Sequence, residues 1–479
     1  MVSTTTAGIP KVRRAFVLGG VAPQCDHVVH NAEHHNNLVG VIERVILAKG
    51  TEPPQPSPGL FPRTLSGVFE FFKREAHVAR PWNQDELLAH TRPHKMRVTM
   101  DALKSLAISG IRRADSYIRG FVKAEKVFDK EAAPRVIQPR TPRFVVATSV
   151  FLKRLEGPIY QLLAKLWKGP TVMKGYNAEQ TAAHLREMWE QFDDPVAVGL
   201  DASRFDQHVS GQALLWEHSI YKLFYRGTDL RELERLLEWQ VDQKATFRAP
   251  DGTVKFKIHG GRASGDINTA LGNCLLMCAM VWAYCKLVCV RARLANNGDD
   301  CVVIMDRRDL KKFQSRVSQF FLGMGFTMKV EEPVTVFEKI VFCQTQPIWA
   351  SGVWRMCRQF PQCLRKDTMY LDVRADEVPG RIAAIGVCGT AVASGVPCLQ
   401  ALYERMAGVA KPMGGDSVGY GFSMMSHGLT PKHVPVTDRA RLSFFEAFGI
   451  NPHEQMLFEA HELRLDDSPV VYPYPLWNV

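Results

Sequence analysis

The feature that most constrains this chain is a run of about a dozen apolar residues, CLLMCAMVWAYC at positions 274–285, followed after Lys286 by LVCV. A membrane span needs roughly 18–20 such residues. Lys286 and Arg291 close the run too early for that. A helix that is apolar on every side must then sit inside protein. The expectation is a buried core helix over residues 269–286, surrounded by other elements. With 479 residues the chain exceeds one ordinary core and suits two or three subdomains. The formal net charge of +11 and pI of 9.1 favour a polyanionic partner, either nucleic acid or an anionic membrane surface.

Eleven cysteines without regular spacing argue against a disulfide framework and for a reducing compartment. Residues 1–21 lack the pattern of a signal peptide. Cys25, His27, His30, His34 and His35 form a patch that fits no standard structural zinc site, so exposed or helix-face histidines are the default reading. The proline-rich residues 51–62 read as a loop or linker. Residues 123–154 are strongly basic and carry Pro134, Pro139 and Pro142, which favour extended pieces. Arg side chains alternating along RVIQPRTPR suit phosphate groups.

Further along, residues 195–200 (PVAVGL) read as a short buried strand and residues 209–225 as a helix. Asp251-Gly252 signals a hairpin turn between strands at 245–249 and 254–258. Apolar, β-rich stretches at 287–295 and 301–305 flank Asn296-Asn297-Gly298-Asp299-Asp300, a second hairpin with acidic residues at its tip. Helices mixed with a small antiparallel sheet predict the α+β class.

The chemistry concentrates at element ends. Asp201 closes the PVAVGL strand, Asp206 follows within DASRFD, and Asp299 and Asp300 occupy the hairpin tip. Carboxylates so placed can converge on two Mg²⁺ ions about 3.5–4 Å apart. Mg²⁺ commonly takes one or two carboxylates plus substrate phosphates. Between them lies Ser264-Gly265 at the end of a glycine-rich loop, then Thr269 and Asn273. Four residues apart on a helix, Thr269 and Asn273 share one face and can hydrogen-bond a sugar.

DxxxxD, SGxxxTxxxN and GDD, in that order, resemble the A, B and C motifs of viral RNA-dependent RNA polymerases. The strings GLDASRFDQHVS, GRASGDINTALGN, NNGDDCVVI, MKVEEPVTVFEKIVFCQTQPI and RLSFFEAFGINPHEQ look like those of the tombusvirus family and its relatives. PRVIQPRTPR resembles the F motif of the fingers. The resemblance runs from about residue 120 to about residue 455.

That resemblance implies a right-hand polymerase architecture with fingers, palm and thumb. The expected divisions are an N-terminal extension at 1–59, fingers at 60–190, a palm at 191–345 with a fingers insertion at about 207–260, and thumb plus tail at 346–479. It implies Asp201 and Asp299 as metal ligands with Asp300 assisting, for two Mg²⁺ ions or Mn²⁺ as a substitute. Asp206 and Asn273, with Thr269 close by, look like readers of the ribose 2′-hydroxyl, which separates RNA from DNA. Ser264 and Gly265 join that nucleotide-binding set. Arg135, Arg140 and Arg143 resemble guides for the incoming triphosphate. Lys329 resembles the D-motif lysine, a general acid for pyrophosphate, with Lys339 as its rival. Phe342-Cys343-Gln344 looks like motif E, where Cys343 reads as packing.

The implied partners are a single-stranded RNA template, the nascent strand, ribonucleoside triphosphates and a membrane-bound viral replication partner. The implied place is the host cytoplasm, at membrane-associated replication complexes. A reverse transcriptase is the nearest rival, but it usually blocks the 2′-hydroxyl with a bulky side chain where this sequence offers Asp206 and Asn273. A silent RNA-binding protein explains the charge and leaves the four aspartates without a reason. The tail YPYPLW at 472–477 reads as docked, with an initiation platform as the alternative.

Overall fold

The apolar run folds as the helix Thr269–Leu287, in which residues 274–281 are entirely shielded from solvent. By length and composition it could cross a membrane, and it is the one such helix among the described residues. Here it is consumed by the core. The long helix Pro142–Trp167 packs around it through Leu152, Leu155, Ile159 and Leu163, and the helix Gly211–Lys222 through Trp216 and Ile220. The structure is a computed structural model. It describes residues 1–10, 12–13, 15–17, 29–127, 131–371, 373–414, 418 and 420–460. Cys25, His27 and the 472–477 tail lie outside the described residues.

A four-stranded antiparallel sheet lies against this core, in the order Met328–Val330, Pro195–Ala202, Asp300–Asp306, Ala292–Asn297. Val196, Val198 and Leu200 face the buried helix. The alternate residues Ala197, Val302 and Ile304 face a second cluster with Leu185, Phe337 and Ile340. Both faces are covered, so these strands read as nearly continuous apolar runs. Their polar residues are confined to the ends.

A five-stranded sheet stands beside it, in the order Val2–Thr5, Gly252–His259, Asp242–Ala249, Ile118–Val122, Val136–Ile137. Its small core gathers Val41, Ile118, Phe247 and Val254. A third apolar cluster joins the hairpin Thr345–Ala350/Val353–Arg358 to the helices Val378–Val392, Leu399–Ala407 and Asp438–Phe448. The chain is thus a mixture of helices and small, mainly antiparallel sheets, the α+β class.

Several local expectations shift. Pro142 does not hold an extended piece. It occupies the first turn of a 26-residue helix, where a missing N–H costs nothing, and Thr141 Oγ1 caps it by accepting from the Phe144 N–H at 3.3 Å. The proline-rich segment is the expected loop up to the helix Leu60–Thr64, and it is held in place: Gln212 Nε2 donates to the Pro56 carbonyl at 2.8 Å, and Pro54 and Pro56 approach Gly325. The strand expected from 287 begins at Ala292, since the helix runs to Leu287 and the turn after it puts Cys289 at φ +49°. The hairpin loop is Pro250-Asp251, and Gly252 already pairs with Ala249. Among the described residues ten cysteines are free, and most of them are buried and behave as small apolar residues.

Candidate active site

Strand register builds the centre of the site. Asp201 pairs across the sheet with Asp300 on one side and Lys329 on the other, and Asp300 pairs with Asn297. Paired residues of antiparallel strands point to the same face. One transverse row therefore reads Lys329, Asp201, Asp300, Asn297 across all four strands. The hairpin between the last two strands has a two-residue loop, Gly298-Asp299, with Gly298 at φ +89°. A glycine in the first loop position suits such a turn. Asn296, wholly buried, ties the loop down: its Nδ2 donates to the Gly298 carbonyl at 2.6 Å and its Oδ1 accepts from the Gly298 N–H at 3.2 Å.

A cleft of about 870 Å³ opens at this end of the sheet. Asp201, Asp206, Asp299, Ser264, Thr269 and Asn273 all line it, as does Arg135. Asn273 Nδ2 donates to Asp206 Oδ1 at 2.9 Å, while the buried Asn273 Oδ1 has no partner. Burial pushes the Asp206 carboxyl upward. The Asn273 hydrogen bond and the Arg262 charge oppose this, and the Asp299 charge adds to it.

Asp300 shares the row with Asp201 but is not among the residues that line the cleft. Its carboxyl accepts a hydrogen bond from the Cys343 thiol, and Asn297 Nδ2 donates to Cys343 Sγ at 3.1 Å. Loss of solvation pushes Asp300 up to about 6, with the charges of Asp299, Asp201 and Glu331 adding to the effect. Burial likewise pushes Cys343 up to about 12, so it stays a thiol and a donor. The residue expected as packing is a hydrogen-bonding neighbour of the acidic turn.

Arg140 and Arg143 depart from the triphosphate-guiding expectation. The Arg140 side chain is 1% exposed and grips Asp266 with both arms of its fork, at 2.7 Å and 3.1 Å. Its remaining donor reaches the Ser116 carbonyl at 2.7 Å. Arg143 sits on the capped helix and binds Asp115 at 3.1 Å and Ser105 Oγ at 2.6 Å. Neither lines the cleft. Only Arg135 stands there with a mostly exposed side chain, sharing Glu125 with Lys123.

Gly265 makes a close backbone approach. It bridges to Pro139, and a Cβ would lie 2.5 Å from Pro139 Cα and 2.7 Å from the Gln138 carbonyl oxygen. Ser264 Oγ accepts from the Gln138 N–H at 3.2 Å. Gly265→Ala should push the two segments apart at a cost of about 1–3 kcal/mol. A thermal melt of the variant, with nucleotide KM raised beside it, checks this. An unchanged melting temperature would contradict the contact.

Lys329 is exposed at the end of the row beside Asp201, outside the cleft wall. Lys339 lines a separate cavity with Gly199, Val302 and Glu331. The two lysines are thereby distinguished, and Lys329 is the one next to a carboxylate of the centre.

Sequence reasoning missed much of the basic wall. Arg44, Lys95, Lys174 and Arg204 line the cleft with Lys123 and Arg135. Lys174 Nζ donates to Asn297 Oδ1 at 2.5 Å. These lysines and arginines are scattered along the chain, and no local spacing marks them. Arg204 had one signal, its place between the two motif aspartates, and it adopts φ +49°.

Among the described residues, no three His, Cys, Asp or Glu side chains form a metal cage. Asp201 and Asp299 on one cleft wall, with room for phosphates, still match the sparse carboxylate set that Mg²⁺ uses.

Comparison with known proteins agrees in one direction. A family model described as viral RNA dependent RNA polymerase matches residues 1–466. The RNA-directed RNA polymerase of Cymbidium ringspot virus is 38% identical over 460 residues, covering 94% of this chain and 56% of the relative. That of Tomato bushy stunt virus (strain Cherry) is 38% identical over 458 residues, with the same coverages. That of Turnip crinkle virus is 37% identical over 473 residues, covering 95% and 60%. The chain spans a little over half the length of these relatives.

Proposed function

We propose, from the premise that this chain belongs to the family of viral RNA-dependent RNA polymerases, that it copies single-stranded RNA into a nascent strand from ribonucleoside triphosphates, releasing pyrophosphate. The observation that carries this reading is the cleft: Asp201 and Asp299 face the sugar-reading pair Asp206 and Asn273 inside a wall of arginines and lysines. Phosphates are held by the cationic wall. The 2′-hydroxyl is met by Asp206 and by the unpartnered Asn273 Oδ1. Asp201 and Asp299 would hold divalent metal, Mg²⁺ or its substitute Mn²⁺, with Asp300 assisting. Two such ions lower the pKa of a 3′-hydroxyl and neutralise the departing pyrophosphate. Lys329, beside Asp201, is the candidate proton donor to that pyrophosphate.

On this reading the four-stranded sheet belongs to a palm at 191–345. Fingers come from 60–190 and the insertion at 207–260, and a thumb from 346 onward. The extension at 1–59 lends its strand Val2–Thr5 to the sheet of the insertion. We assign membrane attachment to a viral replication partner, with the chain at membrane-associated complexes in the host cytoplasm. The burial of the helix Thr269–Leu287 supports an attachment made elsewhere.

The test is direct. Purified chain, single-stranded RNA, Mg²⁺ and labelled ribonucleotides should give template-length product, and deoxynucleotides should not. RNA bound without product, with Mg²⁺ and with Mn²⁺ alike, would sink the reading.

A further inference from the structure

Beneath the sugar-reading residues lies a polar cluster that touches no substrate. Glu217, on the helix Gly211–Lys222, is wholly buried and accepts from three partners. The Arg262 guanidinium reaches it through Nη1 at 3.3 Å and, more closely, through Nη2 to Oε2. Tyr221 hydroxyl donates to its Oε1 at 2.8 Å and Asn268 Nδ2 at 2.9 Å. Gln240 Nε2 completes the chain by donating to Asn268 Oδ1 at 2.9 Å. None of these residues lines the cleft.

The cluster holds both halves of the sugar site. The Arg262 N–H donates to the Asp206 carbonyl at 2.8 Å, and its guanidinium charge acts on the Asp206 carboxyl. Asn268 immediately precedes the helix that carries Thr269 and Asn273, and its carbonyl accepts from the Gly272 N–H at 2.7 Å. Gly272 leaves the space the pair occupies, since a Cβ there would lie 2.4 Å from Glu217 Oε1 and 2.6 Å from Arg262 Nη2. Buried charges that are paired and hydrogen-bonded favour one geometry; here both terminal nitrogens of the Arg262 fork are spent on Glu217, and only its Nε–H is without a partner. We propose that the buried Glu217–Arg262 pair is a positioning device for ribose selection, holding Asp206 and Asn273 at the separation that rewards a 2′-hydroxyl. It rests on the polymerase reading above and deepens it.

A site built to hydrogen-bond a hydroxyl rejects the analogue lacking it because its polar groups are then left unpaired. Blurring the geometry should erode that rejection before it stops synthesis. The experiment measures kcat/KM for UTP and for dUTP on one template, with wild type, Arg262→Lys and Tyr221→Phe. Lysine keeps the charge and loses the planar fork, and phenylalanine removes a single donor while keeping the ring. The UTP-to-dUTP ratio should fall about tenfold or more for Arg262→Lys and by a smaller factor for Tyr221→Phe. Equal losses for both nucleotides, with the ratio unchanged in both variants, would overturn the proposal and leave the pair a packing feature. If Arg262→Lys does not fold, Tyr221→Phe decides alone. A wild type that discriminates, with Asp206→Ala losing discrimination, isolates any failure to this inference. A wild type without template-directed synthesis would overturn the polymerase reading and this inference with it.

Discussion

Asp299→Ala is expected to cut RNA synthesis by about a thousandfold or more, equivalent to about 4 kcal/mol of transition-state stabilisation, while template affinity stays within about threefold. The reason is a division of labour in one cleft. Arg44, Lys123, Arg135 and Arg204 supply positive charge to the cleft wall, and Asp299 lines the same cleft from the tip of its two-residue loop. Removing a carboxylate takes nothing from phosphate binding. A filter-binding titration beside a primer-extension assay separates the two effects. A thermal scan adds a third readout, because a ligand that binds only the folded state raises its melting temperature. Mg²⁺ should raise that of the wild type and leave Asp299→Ala unmoved. A large loss of RNA affinity in the variant would remove Asp299 from the metal set.

Arg140→Ala should instead act on stability. Removing one partner of a buried ion pair strands the other, at about 3–5 kcal/mol. Here the stranded group is Asp266, 5% exposed. The same substitution also removes the donor to the Ser116 and Trp239 carbonyls. Arg135→Ala, with its exposed side chain, should raise nucleotide KM and leave the melting temperature alone. The pair of variants discriminates sharply. If Arg140→Ala melted like the wild type and only KM rose, Arg140 would be the triphosphate guide that the sequence resemblance implies.

That contrast shows what sequence can and cannot carry. The carboxylate pattern was legible because Asp201, Asp206 and the Gly298-Asp299-Asp300 turn stand at strand and helix ends, where local rules speak. The buried helix was legible for the same reason, from the length of its apolar run. The roles of Arg135, Arg140 and Arg143 were not. All three look alike in RVIQPRTPR, and what separates them is a partner 126 residues distant for Arg140 and 28 residues distant for Arg143. Long-range pairing leaves no trace in local spacing. Pro142 misled differently, since the same fixed φ that breaks a helix also begins one. Lys174 and Arg44 could be found by neither route, because only the folded chain brings them to the cleft. The Glu217–Arg262 pair likewise spans 45 residues and had no motif to announce it.

The links between the basic segment and the glycine-rich loop also govern how the site can move. Arg140 to Asp266, Pro139 to Gly265 and Gln138 to Ser264 form three successive ties along two adjacent strips of backbone. Strips stitched at three points travel as one plate. That part of the cleft wall is therefore held in place by contacts within the protein itself. Between Asp201 and Asp206, Arg204 holds φ +49° and hydrogen-bonds to Glu43, which ties the segment joining the two aspartates to the N-terminal part of the chain.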